Sequence, residues 1–269
     1  MSEITAAQRV KLARAVARPG AMDYINALFT DVFECKGDRL HKEDPSIFGA
    51  IARFHGKPVT VLGIRKGRTF EQKMKYNFGM PSPEGYRKAQ RLMRQAEKFK
   101  RPVITFVDTP GAYPGLEAEA EGQGEAIAAS LALMSSLTVP VIAVVIGEAG
   151  SGGALALAVG NRVILLENAV YSVLSPEGFA SILWKDAGRA DEAAEVMKLT
   201  AADLLRLGVA DQVIPEPEGG AQNDPKAVFA AVDKALTRHL NQLSKEKDLA
   251  AHRYQKFRAM GVVREENEI

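Results

Sequence analysis

The sequence predicts an α/β protein whose sheet is covered on both faces, and two observations carry that prediction. Five short runs rich in β-branched residues read as strands: "PVTVLGI" (58–64), "PVITFVD" (102–108), "PVIAVVIG" (140–147), "NRVILLE" (161–167) and "VADQVIPE" (209–216). Most are continuously apolar rather than alternating, the pattern of strands buried on both sides, and helical patterns lie between them. No linker or low-complexity stretch divides the 269 residues, so they read as one domain (1–269) with helical extensions at about 1–36 and 222–262.

The first extension reads as two helices around the "RPG" break at Arg18–Gly20. Three strands open with Pro-Val, which puts the residue lacking an N–H at the first strand position, where a missing donor does least harm. A helix is expected over 84–100, with Tyr86, Ala89, Met93, Ala96 and the stem of Lys100 on one stripe and Arg87, Lys88, Arg91 and Arg94 off it. Further helices are expected over 122–137 and 190–207, the latter stopped by Gly208. The last zone, 224–260, opens on "NDP", an N-cap followed by proline at a helix start, and the chain ends in the charged "REENEI".

Composition is ordinary for a globular protein, 46% hydrophobic and 25% charged. The single cysteine, Cys35, excludes an internal disulfide and a cysteine-cluster metal site, fits a reducing compartment, and reads as a small apolar residue; no metal site is expected. The start carries no signal-peptide core, and no run approaches the ~18 apolar residues of a membrane helix, so a soluble, cytoplasmic protein is expected. The net charge of +2 hides an asymmetry: residues 1–100 hold 20 Lys+Arg against 10 Asp+Glu, and residues 101–200 hold 5 against 12. That fits a polyanionic ligand, a complementary partner surface or solvated helix faces. The aromatic pattern gives no support to nucleic-acid binding.

The densest chemical signal is "GEAGSGGALALA" (147–158), where a strand runs into glycines and then a helix. Gly147 and Gly152 have P-loop spacing, but Gly153 and Ala154 stand where the lysine and hydroxyl are required. A dinucleotide fingerprint fails at Leu155, in the third glycine's place. "AGSGG" is one residue from a serine nucleophile elbow, but Ser151 needs a base and the following segments contain no histidine. A third reading is an oxyanion hole: Gly152 and Gly153 open a helix, so their N–H groups lack intrahelical partners, and no Cβ blocks a ligand's approach. Tight strand–helix packing would also explain the glycines. A second strand–turn–helix, "FVDTPGAYPGLEAEAEGQGEAIA" (106–128), favours function, because two such turns after neighbouring strands would converge on one cleft. Its Glu117, Glu119, Glu121 and Glu125 read as solvated helix-start charges.

With these stretches on the page, the sequence resembles the carboxyltransferase α subunits of bacterial acetyl-CoA carboxylase, members of the ClpP/crotonase fold group. The resemblance rests on "NFGMPSPEGYRKAQRLM" (77–93), "FVDTPGAYPG" (106–115), "GEAGSGGALAL" (147–157), "YSVLSPEGFASILWK" (171–185), "VIPEPEGGA" (213–221), "GDR" (37–39) and "RYQKFRAMG" (253–261). It implies a crotonase-like spiral fold with helical N- and C-terminal extensions. It implies transfer of a carboxyl group from carboxybiotin, carried on biotin carboxyl carrier protein, to acetyl-CoA, giving malonyl-CoA for fatty-acid synthesis. The implied partners are a zinc-ribbon-bearing β subunit in an α2β2 assembly, and biotin carboxylase in the larger complex; the single cysteine agrees with a zinc-free partner.

On this sequence the resemblance implies that Gly152 and Gly153 donate backbone N–H bonds to biotin's ureido oxygen. Gly150 and Ser151 would shape the turn, and Tyr113, Pro114 and Gly115 would line the facing wall. The basic run 65–79 is expected to be solvated or at an interface, with CoA phosphates as a second possibility. The chain departs from the family pattern at Ala149, usually Gly; at Glu121, where Arg is common; and at Gly124, usually Ser. Rival readings are a decarboxylase subunit for another acyl-CoA such as glutaconyl-CoA, a ClpP-like serine hydrolase, and a non-catalytic scaffold.

Overall fold

The computed structural model describes residues 4–261, so the charged "REENEI" tail and the first three residues lie outside the described part. Eight strands within it, β1 (Thr30–Glu34), β2 (Ile47–Phe54), β3 (Lys57–Ile64), β4 (Val103–Thr109), β5 (Val141–Gly150), β6 (Arg162–Leu166), β7 (Val170–Ser172) and β8 (Gln212–Ile214), form one sheet. Their order is β1-β2-β3-β4-β5-β6-β8, with β7 pairing the far end of β5. β1–β2–β3 is antiparallel and every later pairing is parallel.

Around it pack α1 (Ala6–Ala13), α2 (Ala21–Leu28), α3 (Phe70–Lys75), α4 (Pro83–Lys98), α5 (Leu116–Ala120), α6 (Gln123–Ser136), α7 (Ser151–Leu155), α8 (Pro176–Trp184), α9 (Ala190–Val196), α10 (Ala201–Arg206), α11 (Pro225–Leu243) and α12 (Leu249–Arg258). β4 and β5 form the floor: all their residues are buried, as expected of strands rich in Val and Ile on both faces. Each such side chain contributes about 1.5–3 kcal/mol on leaving water. On α4 the expected stripe of Tyr86, Ala89, Met93 and Ala96 is fully buried, whereas Lys100, expected to extend it, lies beyond the helix end and is exposed.

The two predicted N-terminal helices are present as α1 and α2, and the "NDP" start is observed, with Asp224 capping α11. The C-terminal α12 is pinned by Arg253. This buried guanidinium donates to the Leu137 carbonyl at 2.9 Å and to Asn161 Oδ1 at 2.6 Å, and burial pushes its pKa down to about 10.

Several boundaries differ from expectation. Residues 30–34 of the first extension are strand β1, exposed along most of its length and therefore without an apolar signature. β2 and β3 form a hairpin whose two turn residues, His55 and Gly56, have φ of +47° and +76°. Histidine stands where Asn or Asp would have announced that turn. The expected helix 190–207 is two helices: Lys198 takes φ +52°, and Thr200 restarts the chain as N-cap of α10 by accepting from the Asp203 N–H. The strand expected over 209–216 keeps only Gln212–Ile214. Lys88, expected off the buried stripe of α4, is 1% exposed, bonded to Glu43 and donating to the Asp44 carbonyl at 2.7 Å.

Candidate active site

β4 and β5 are parallel neighbours, and both run at their carboxyl ends into the glycine turns singled out in the sequence, with Thr109 beside Ala149. The turns are in backbone contact. A Cβ built on Gly150 would lie 2.1 Å from the Pro110 carbonyl oxygen, and one on Gly153 would lie 2.3 Å from the Ala112 nitrogen. Glycine at these two positions is therefore a packing requirement. Gly152 differs: its Cβ would meet only Ile127, at 3.4 Å, an ordinary contact on the side of the cleft. Thr109 closes the facing turn, its hydroxyl accepting from the Gly111 N–H at 3.0 Å and donating to the Gly111 carbonyl at 2.7 Å. The buried Tyr86 hydroxyl donates to the Gly153 carbonyl at 3.3 Å.

Together the turns line a cleft of about 630 Å3 that includes Gly111, Ala112, Ser151, Gly152 and Gly153. Gly150 is the N-cap of α7, and the N–H groups of Gly152 and Gly153 have no protein acceptor among the described residues. Ser151 has φ +55°, a left-handed backbone that costs a non-glycine residue about 1–2 kcal/mol. This is the strained turn of a nucleophile elbow, and it sets the direction of the amides that follow. A base for Ser151 is not at hand. His41 lies against Glu84 at 3.1 Å, His55 against Asp233 at 2.8 Å, His239 against Gln212 at 2.9 Å and His252 beside Asn161 at 3.2 Å; none lines the cleft.

Beside the amides runs a chain of ion pairs. Lys66 bridges Asp108 at 2.8 Å and Glu148 at 3.6 Å; Arg14 takes the other oxygen of Glu148 at 2.7 Å and reaches Glu177 at 2.7 Å. Burial alone would lower the Arg14 pKa, but its bonds to Glu177 and Glu148 hold it above the usual value. The Arg14 bond in turn holds the Glu177 carboxyl below the usual range. Arg14 and Glu148 also line a second cavity of about 500 Å3, walled by the basic run through Arg65, Lys66 and Arg68. Those three are not free solvated charges: they face Glu34 at 3.7 Å, Asp108 at 2.8 Å and Asp23 at 2.6 Å.

The structure brings Ser151, Gly152 and Gly153 together on the cleft, with Gly150 buried against Pro110, but not Tyr113, Pro114 and Gly115. Pro110–Ala112 form the facing wall instead. Tyr113 turns away, its N–H donating to the Pro81 carbonyl at 3.0 Å and its ring lying over Gly115, and it lines a separate cavity. Sequence reasoning missed Arg14, Lys66, Asp108, Glu148 and Glu177. The visible signal was an acid at the end of each buried strand, in "FVDTPG" and "IGEAG", which demands a cation from elsewhere in the chain.

Comparison with known proteins places the chain in a family and supports its fold. A family model described as acetyl co-enzyme A carboxylase carboxyltransferase-like matches residues 1–261. The acetyl-coenzyme A carboxylase carboxyl transferase subunit alpha of Clostridium acetobutylicum is 56% identical over 261 residues, covering 96% of this chain and 95% of that protein. The Bacillus subtilis protein of the same name is 54% identical, covering 97% and 81%. Among solved structures, transcarboxylase 12S aligns with a TM-score of 0.71 at 19% identity, over 92% of this chain and 46% of that one. A Pseudomonas malonate decarboxylase hetero-dimer aligns with a TM-score of 0.65 at 22% identity, over 80% and 89%. The crotonase-like fold implied by the resemblance is thus the fold observed. The chain belongs to the acetyl-coenzyme A carboxylase carboxyltransferase family, and its curated relatives there are α subunits.

Proposed function

We propose that this chain is the α half of a biotin-dependent carboxyltransferase that makes malonyl-CoA from acetyl-CoA. The observation that carries the reading is the pair of unpartnered Gly152 and Gly153 amides facing a cleft between two interlocked glycine turns. The carboxyl group would arrive on the biotin of a carrier protein. The two N–H groups would donate to the ureido oxygen of that biotin, where negative charge would develop as the carboxyl group leaves. When bound, the biotin would supply both the carboxyl group for the new C–C bond and the nitrogen that takes the acetyl methyl proton. Donors whose bonds strengthen as charge develops lower the barrier selectively, and losing one costs on the order of 10²–10³ in rate. No protein base is required, in keeping with a cleft that no histidine lines.

Gly150 and Ser151 shape the turn, and Pro110–Ala112 take the wall role expected of Tyr113–Gly115. The exposed Val173, Ile182 and Leu183 offer an apolar surface beside the cleft, suited to a β-type partner that completes the site. The subunit names of the relatives and the hetero-dimeric neighbour support such a partner. Biotin carboxyl carrier protein and biotin carboxylase complete the proposed reaction sequence. One domain with helical ends fits the continuous core from Ala21 to Leu243. Among the described residues, no helix is long and apolar enough to cross a membrane.

The test is malonyl-CoA-dependent carboxylation of biocytin by this chain with and without a β-type subunit. Activity is expected only from the assembled pair, with acetyl- and malonyl-CoA preferred over glutaconyl-CoA. Full activity from this chain alone would defeat the half-site reading. Ser151→Ala should retain turnover within a few-fold; a loss of two orders of magnitude would restore the serine reading.

A further inference from the structure

We propose that His41, Glu84 and Glu121 form a divalent-cation site, of the kind that takes zinc, which staples three segments of the chain together. His41 lies on the β1–β2 connection, Glu84 in the first turn of α4, and Glu121 at the C-cap of α5. One ligand atom from each lies within 4.8 Å of the others. His41 Nδ1 is 3.1 Å from Glu84 Oε1 and 3.6 Å from Glu121 Oε2. Neighbouring ligands around a tetrahedral ion with bonds of about 2.0–2.1 Å stand about 3.3 Å apart, so small side-chain movements complete the set.

A second observation is independent of the clustering. Glu84 is 1% exposed, yet its Oε2 is buried without any hydrogen-bond partner. A carboxylate oxygen in that state carries a desolvation cost that only a cation or donor offsets. Neither nearby cation hydrogen-bonds that oxygen, although the buried Arg87 Nη2 also has no hydrogen-bond partner. Lys42, 3.9 Å from Glu84 Oε1, is bonded to Glu117 at 2.5 Å, and Arg87, 3.5 Å from the same oxygen, is bonded to Asp38 at 2.9 Å. With those two pairs neutral, Glu84 and Glu121 leave two negative charges, the complement of a dication. Two carboxylates with one imidazole suit zinc better than magnesium or calcium, which favour all-oxygen sets. A cavity of about 230 Å3 bordered by Glu84, Glu121 and Tyr113 leaves room for a water as fourth ligand. Sequence spacing does not reveal the site, because its ligands are 37 to 80 residues apart and include one histidine and no cysteine. The site is separate from the Gly152 cleft and does not depend on the carboxyltransferase reading.

The experiment uses the full chain, stripped with EDTA and titrated calorimetrically with ZnCl2, with CoCl2 absorption as a second readout and MgCl2 as a control. One equivalent of Zn2+ should bind with a micromolar or tighter Kd and raise the melting temperature, while Mg2+ leaves it unchanged. His41→Ala and Glu121→Gln, both at substantially exposed side chains, should each keep the fold and weaken Zn2+ binding on the order of tenfold or more. Glu121→Arg should abolish it. The absence of saturable one-equivalent binding in the wild-type chain, or binding that survives both His41→Ala and Glu121→Gln, would overturn the site.

Discussion

The turn at Gly150–Gly153 and the ion-pair chain from Asp108 to Glu177 border the same cleft, but they are held in different ways. The turn is fixed by backbone packed against backbone: two absent methyl groups let the β4 and β5 loops interlock, and Ser151 takes up the strain. Salt and pH act on it little. The ion-pair chain is held by charges from five separate stretches, with the end of α1 supplying Arg14 and the β3–α3 loop supplying Lys66. The turn should therefore respond to substitution according to the direction in which a Cβ points, and the charged side according to burial and pH.

The deepest pair should show the largest effect. Arg18 and Glu216 are bonded at 2.5 Å and 2.9 Å, and Arg18 Nε also donates to the Ile146 carbonyl at 2.6 Å just below the turn. Removing one partner of such a buried pair costs about 3–5 kcal/mol, so Arg18→Ala should unfold at markedly lower urea concentration. Burial alone would raise the Glu216 pKa, but the Arg18 bond holds it below the usual value. Its contribution should be fully present above the ordinary glutamate value of about 4.3 and lost as pH falls through the lower folded value. Glu216→Gln should lose that acid-side slope. An unchanged slope would show that the pair does not anchor the N-terminal strap.

On the backbone side, Gly153→Ala forces a methyl into the Ala112 nitrogen and should cost about 1–3 kcal/mol, with loss of turnover. Gly152→Ala, at the neighbouring position, adds a methyl that meets only Ile127 at 3.4 Å and should be nearly neutral in stability. Equal destabilisation by the two would break the directional account.

The same contrast explains what the sequence made readable. Glycine spacing is local, and β4 and β5 are rich in apolar residues, so these strands and their turns could be argued from short windows. Ser151's strain and Gly152's different surroundings could not, because they depend on where Ile127 and Pro110 lie. The ionic partners of Asp108 and Glu148 are 42 and 134 residues distant, beyond any periodicity, although acids ending buried strands marked that partners must exist. Of the β1–β2–β3 edge only β3 was read, for another reason: β1 is solvent-facing, and the β2–β3 hairpin turns on His-Gly.

The central claim is that backbone amides, rather than a side chain, stabilise the charge in this cleft. It is tested most directly by biocytin carboxylation with the assembled enzyme carrying Gly152→Val, where the added side chain grows beside Ile127 across the amides. The account predicts intact assembly and a loss of turnover on the order of 10²–10³. Wild-type turnover from that assembled variant would contradict it.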